Sequence, residues 1–203
     1  MKGVIGTFAK DDRILGWDLW NEPDNPAEQY KGQPANKAEL VLQLLPKVFV
    51  WARSVEPTQP LTSGVWLGQS WRATDKHRPI EDVQLSQSDI MTFHDYGWPE
   101  SMEKRISILE DYGRPIICTE YMARGAGSTF DGSLPLGKAH NVGMINWGFV
   151  QGKEQTYLPW DSWQRPYVLQ TPTVWFHDVL YTDGTPYRQA EVDLIKKLIS
   201  QTN

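Results

Sequence analysis

The chain has 203 residues, 40% of them hydrophobic and 22% charged, the size and balance of one globular domain with a substantial core. A formal net charge of -5 argues against a basic surface for nucleic acid or an anionic membrane, and no apolar run approaches the roughly 20 residues that cross a bilayer. Cys118 is the only cysteine, so an internal disulfide and a cysteine-rich zinc site are excluded; mid-strand, it reads as a small buried hydrophobe.

The amino-terminal stretch Met1 to Phe8 carries one basic residue but too short an apolar core for a secretion signal. Residues 3–12 read as the tail of a helix, and residues 13–20 as a first strand. Over residues 36–55, Val41, Leu44, Leu45, Val48, Ala52 and Val55 recur at helical spacing. Pro46 lies inside that run and is predicted to kink or divide it. Residues 60–66 form a second predicted strand, followed by a polar loop, and residues 89–94 a third. Pro99 suits a first helical position, opening a helix through Met102, Ile106 and Leu109 to about Tyr112, with Gly113 as its stop. Residues 116–119 are nearly all apolar, as in a strand buried on both faces, and residues 142–147 make a fifth strand. After a long aromatic loop and a turn at Asp183-Gly184, residues 187–200 read as an amphipathic helix with the stripe Ala190, Leu194, Ile195, Leu198 and Ile199. Short buried strands alternating with helical segments predict an α/β architecture with a parallel sheet. No internal repeat, low-complexity tract or linker interrupts residues 1–203, which read as a single domain.

Two glutamates carry the chemistry. Glu22 closes the run Gly16-Trp17-Asp18-Leu19-Trp20-Asn21, and Glu120 closes Pro115-Ile116-Ile117-Cys118-Thr119. An ionised carboxylate is costly to bury unpaired, so two apolar runs each ending in one call for a reason beyond packing. A glycosidase needs such a pair: one carboxyl to protonate a leaving oxygen, the other to attack a sugar carbon. The ten tryptophans fit the same chemistry, because flat indole faces match the C–H faces of pyranose rings. Trp17, Trp20, Trp66, Trp71, Trp98, Trp147, Trp160 and Trp163 fall at or just beyond strand-like runs; some belong to the core and others suit a sugar surface.

With these motifs in order, the chain resembles the cellulase-like family 5 glycoside hydrolases and related (β/α)8-barrel enzymes. Trp20-Asn21-Glu22-Pro23 looks like the end of that family's fourth strand, Phe93-His94-Asp95-Tyr96 its sixth, Thr119-Glu120-Tyr121 its seventh and Asn146-Trp147-Gly148 its eighth. The resemblance implies a retaining β-glycosidase with Glu22 as general acid/base and Glu120 as nucleophile. Glu120 must be ionised, with Tyr96 as candidate hydrogen-bond donor. Glu22 must start protonated, which burial beside Trp20 and the charge of Glu120 favour. Asn21 would bond the sugar 2-hydroxyl, Trp147 would floor the sugar that is cut, and Trp20 and Trp66 would add binding surface. His94 alternates with Tyr96 and shares its face, although a hydrogen-bonded core histidine is the plainer alternative. Asp18 reads as an interior structural group and Asp95 as structural. The loop with Glu154 and Asp161-Ser162-Trp163 is either a substrate contact or a solvated surface, the latter being the default. His77, His140 and His177 lack metal-like spacing to a second ligand; no metal and no cofactor are expected.

A whole barrel takes about 250 residues and eight strands. Only five strands are placed here, so the expected fold is a partial (β/α)8 barrel covering strands four to eight, with the first three strand–helix units missing. The family also draws an arginine and a histidine from its early strands, and Arg124 is not an obvious substitute. Open sheet edges invite pairing, which predicts a homo-oligomer or a complementing chain. The expected substrate is a β-linked glucan, mannan or xylan. A truncated remnant that binds carbohydrate without turnover is the second reading, and an interaction module with a tryptophan interface the third. The family is usually exported, whereas this sequence carries no export signal.

Overall fold

The computed structural model describes residues 1–26 and 32–201. They form two compact units, Met1–Phe93 with Ile108–Ile116, and His94–Ser107 with Ile117–Asn203. In chain order the elements are α1 (Lys2–Thr7), β1 (Trp17–Asp18), α2 (Lys37–Arg53), β2 (Leu61–Thr62), α3 (Pro79–Gln87), β3 (Met91–Asp95), α4 (Pro99–Glu110), β4 (Ile116–Tyr121), α5 (Phe130–Ala139), β5 (Gly143–Met144) and α6 (Gln189–Ser200). No described helix is long and apolar enough to cross a membrane.

The strands are parallel where their register is defined. Trp17 pairs with Leu61 and Asp18 with Thr62, so β1 and β2 form one sheet; the other runs β3-β4-β5, with Ile117 opposite Gly143 and Cys118 opposite Met144. A parallel bridge from Val65 to Phe93 extends the first pairing toward β3. All five predicted strands exist, but β1, β2 and β5 keep only two ladder residues each. Over the predicted residues 116–119 the double burial of β4 holds for one face: Ile116 and Cys118 are buried, whereas Ile117 and Thr119 on the other face are half-buried. Ile117 faces Gly143, a partner without a side chain to cover it. Burial pushes the Cys118 thiol well above its ordinary range, consistent with an inert core group.

In the first unit, α1, α2 and α3 pack around β2 on a core of Ile5, Val41, Leu45, Phe49, Ala52, Leu61 and Ile80. Pro46 does not divide α2, which runs unbroken through it. Leu45 and Phe49, both fully buried, hold the turns on either side of the proline on the same core and offset the lost backbone bond. Replacing Phe49 by alanine is therefore expected to destabilise the chain by about 3–5 kcal/mol, read as a lower urea midpoint.

Two helices lie where none was expected. The stretch after β2, read as a polar loop, contains α3. Pro79 starts it, and the Glu81 carboxylate accepts the Arg78 backbone amide at 2.9 Å, so local capping substitutes for a strong apolar stripe. In the second unit, α5 contains Pro135 and lies directly on β5: a Cβ on Gly137 would come within 2.6 Å of Met144. The α6 stripe is weaker than its periodicity suggested. No α6 residue is fully buried, and Ala190 and Ile199 are exposed. That helix is anchored by polar contacts instead: Glu191 to Arg124 at 2.5 Å, and Lys138 Nζ to the Leu198 carbonyl at 2.7 Å.

Candidate active site

The second unit gathers three residues singled out in the sequence. β3 delivers His94 and β4 delivers Glu120, while Tyr96 follows β3 directly. The Tyr96 hydroxyl donates to Glu120 Oε2 at 2.9 Å, the donor that the resemblance implied. His94 Nδ1 lies 3.6 Å from the same oxygen, and His94 is buried. A carboxylate that accepts a phenol hydrogen bond is held in one rotamer with its charge stabilised, which suits a nucleophile. Two residues further on, Met122 is buried at φ 65, a left-handed backbone that side chains rarely adopt. Such strain persists only where the surroundings over-determine it, and it gathers at functional sites.

Behind this cluster stands an aromatic assembly that the sequence did not resolve. His177 is buried, with its ring 5.5 Å from Tyr96, 5.0 Å from Trp147 and 5.9 Å from Trp160. Tyr96 and Trp160 meet edge to face at 5.0 Å. Trp147 and Trp160 remain 47% and 44% exposed, so both present indole surface to solvent. Gly148 bends the chain after Trp147 at φ +104; a Cβ there would come within 2.6 Å of Asp178 Oδ1. Asp178 is fully buried and burial raises its pKa, opposed by the Thr156 hydroxyl that donates to it at 2.6 Å. His177 and Asp178 lie in an irregular segment and Trp160 opens the short 3-10 turn Trp160–Trp163; the sequence singled out Trp160 among the tryptophans, and the only hint of the other two is the density of aromatic residues.

The other candidates sit in the first unit. Glu22 is half-buried at φ 40, and its Oε2 accepts the Asn25 amide at 2.5 Å. The loop carrying it is clamped from behind: Asp24 accepts the Trp66 indole N–H at 2.7 Å and Arg78 at 2.6 Å. The polar edge of Trp66 is thus engaged within the protein. Trp20 packs against the first unit's core and its carbonyl accepts the Ser63 hydroxyl, while Asn21 is exposed. Trp71 is fully buried and belongs to the core.

Three structural assignments can be compared directly. Asp95 is structural as expected, accepting Gly97 N at 2.6 Å and Ser101 Oγ at 2.8 Å, with Arg105 beside it at 3.3 Å. Asp18 is not interior: it is exposed, and its carboxylate accepts the Trp20 amide at 3.2 Å. β1 is paired on one side only among the described strands, which leaves Asp18 open. Arg124 is a structural cation, its side chain 2% exposed and committed to Glu191.

Parallel strands with flanking helices, and His94, Tyr96 and Glu120 gathered near the ends of two of them, give the fold class of a partial (β/α)8 barrel. Comparison with known proteins agrees. No protein-family model matches the chain. Human β-glucuronidase is 27% identical over 194 residues, 93% of this chain and 26% of that protein. The β-glucuronidase of Ruminococcus gnavus superposes with a TM-score of 0.57 at 13% identity, covering 100% of this chain and 34% of that one. A Gloeophyllum trabeum endo-β-1,4-xylanase of glycoside hydrolase family 10 gives a TM-score of 0.57 at 15% identity, covering 98% and 65%. The chain is related to the TIM-barrel glycoside hydrolases, and it spans about a quarter of the length of the curated relatives it matches.

Proposed function

We propose that this chain is a retaining β-glycoside hydrolase in which Glu22 and Glu120 act on opposite sides of one glycosidic bond. The observation that carries the reading is the Tyr96 hydroxyl on Glu120 Oε2, with His94 beside it, at the end of a parallel strand. Glu22 protonates the departing oxygen as a Glu120 oxygen attacks the anomeric carbon. Glu22 then takes a proton from water, which releases the sugar from Glu120. Two displacements restore the original β configuration, and the mechanism requires carboxyl groups about 5–5.5 Å apart. Asn21 bonds the 2-hydroxyl and Trp147 lies under the sugar that is cut. Trp20 and Trp66 add binding surface on this reading, with the Trp66 indole N–H engaged by Asp24 and Trp20 packed against the first unit's core.

The substrates proposed are β-linked glucan, mannan or xylan, with β-glucuronides added by the named relatives. The test is hydrolysis of aryl β-glycosides of glucose, mannose, xylose and glucuronic acid, with the first-formed anomer read by proton NMR. A β product is expected; an α product, or no hydrolysis across the panel, overturns the reading. Binding of β-glycans without turnover selects instead a carbohydrate-binding chain, which the exposed Trp147, Trp160 and Trp163 would serve.

We further propose that residues 1–203 act as one partial-barrel domain covered by a second chain or a second copy. The apolar row Ile145, Trp147 and Phe149, exposed by 48%, 47% and 65%, supports this, as do β1 and β5 standing at the ends of the described sheets. Light scattering is expected to give a mass above that of a monomer. A monodisperse monomer refutes self-association.

A further inference from the structure

We infer that His177, as a neutral imidazole, is the positioning residue that fixes the Trp160 indole beside Tyr96 as a stacking platform for the sugar ring adjoining the one that is cut. The inference rests on the proposed hydrolase reading and assigns two residues in the segment between β5 and α6.

His177 Nδ1 lies 2.8 Å from the Met122 carbonyl, which can only accept, so Nδ1 carries the proton. The Trp160 indole N–H lies 3.1 Å from His177 Nε2 and can only donate, so Nε2 must be bare. Both ring nitrogens are satisfied by one neutral tautomer, and an imidazolium would set two N–H groups against each other. The surroundings agree. Burial depresses the His177 pKa to about 4, opposed by the Met122 carbonyl and reinforced by the nearby Arg124 charge. The other titratable groups against it are Tyr96, across the ring contact, and the adjacent Asp178.

The same ring connects two functional features. Through Nδ1 it holds the carbonyl of Met122, the left-handed residue just beyond Glu120. Through Nε2 it occupies the only polar atom of the Trp160 side chain. The half-exposed indole is then a purely apolar face, 5.0 Å from the phenol whose hydroxyl holds Glu120. An apolar indole face with its donor engaged suits the C–H face of a pyranose, and its place next to Tyr96 suits a ring neighbouring the reacting one.

Asparagine and glutamine separate the two bonds, because their terminal amides reach the Nδ1 and Nε2 positions respectively. His177→Gln keeps an acceptor for Trp160; His177→Asn keeps only the donor to Met122. Histidine-selective 15N NMR of the whole chain is expected to show the neutral Nδ1–H form of His177 down to about pH 5, and slow exchange of the Trp160 indole proton. In kinetics on a β-1,4-linked tetrasaccharide and an aryl β-monoglycoside, His177→Asn should raise the ratio of the two KM values by about tenfold, the scale of one lost aromatic contact. His177→Gln should restore most of that ratio. Trp160→Ala, which needs no His177 partner, should reproduce the Asn result.

A His177 that titrates near its ordinary 6.5, or a KM ratio equal to wild type in both His177→Asn and Trp160→Ala, overturns the inference. Glu120→Gln separates the two failures. If that variant is as active as wild type, the hydrolase reading fails while the NMR arm still decides the state of His177. If it is inactive and the KM ratios do not move, only the platform role falls.

Discussion

Glu120→Gln is expected to lower hydrolysis of activated aryl β-glycosides by at least ~10³-fold, equivalent to ~4 kcal/mol of lost transition-state stabilisation. The substitution keeps the side chain's size and leaves an amide oxygen to accept the Tyr96 hydroxyl, now 2.9 Å from the carboxylate. What it removes is the charge that must attack the anomeric carbon. Stability should therefore change by less than about 1 kcal/mol while activity collapses. That split identifies a nucleophile and not a packing residue. The measurement is a pair: initial rates on the aryl glycosides and a urea midpoint on the same preparation. Equal rates for variant and wild type would remove the catalytic assignment, and a loss of both rate and stability would make Glu120 a fold residue.

The second large effect concerns stability. Arg124→Ala is expected to cost about 3–5 kcal/mol, because removing one partner of a buried pair strands the other. The guanidinium donates to both Glu191 oxygens and to the Trp175 carbonyl, and it lies 4.9 Å over the Tyr187 ring. Its loss leaves the Glu191 carboxylate, only 14% exposed, without that cation and loosens the carboxy-terminal helix, which has no fully buried residue of its own. A double variant, Arg124→Leu with Glu191→Leu, should be much less destabilised than Arg124→Ala, since no charge remains to be solvated. Denaturant unfolding of the three proteins checks this. A single alanine change that costs under about 1 kcal/mol would show that α6 is held by its apolar stripe after all.

Which parts of this chain could be read in advance follows from how local each signal is. Tyr96 as the donor to Glu120 was legible through the family resemblance, and the period-two alternation of a strand then placed His94 on the same face as Tyr96. The α2 face was legible in part from helical spacing: Val41, Leu45, Val48 and Ala52 are buried, whereas Leu44 is exposed and Phe49, outside the predicted stripe, is fully buried. Pro46 does not divide α2, because a proline's local cost is outweighed by apolar contacts on both sides. Asp18 misled: its sequence neighbours are apolar, yet β1 is paired on one side and the carboxylate stays in solvent. The helices α3 and α5 were missed because one relies on capping more than on an apolar stripe and the other contains a proline and two glycines.

The amino-acid order by itself determined the parallel α/β class, the succession of five strands along the chain, and Glu120 near the end of β4. These depend on periodicity and on residue type, which act over a few positions. The tertiary structure alone decided that His177 would stand between Met122 and Trp160, and that Arg124 would seal α6 through Glu191. Those contacts join residues 17 to 67 positions apart, a separation over which no local repeat constrains direction and only the packed whole selects the partner.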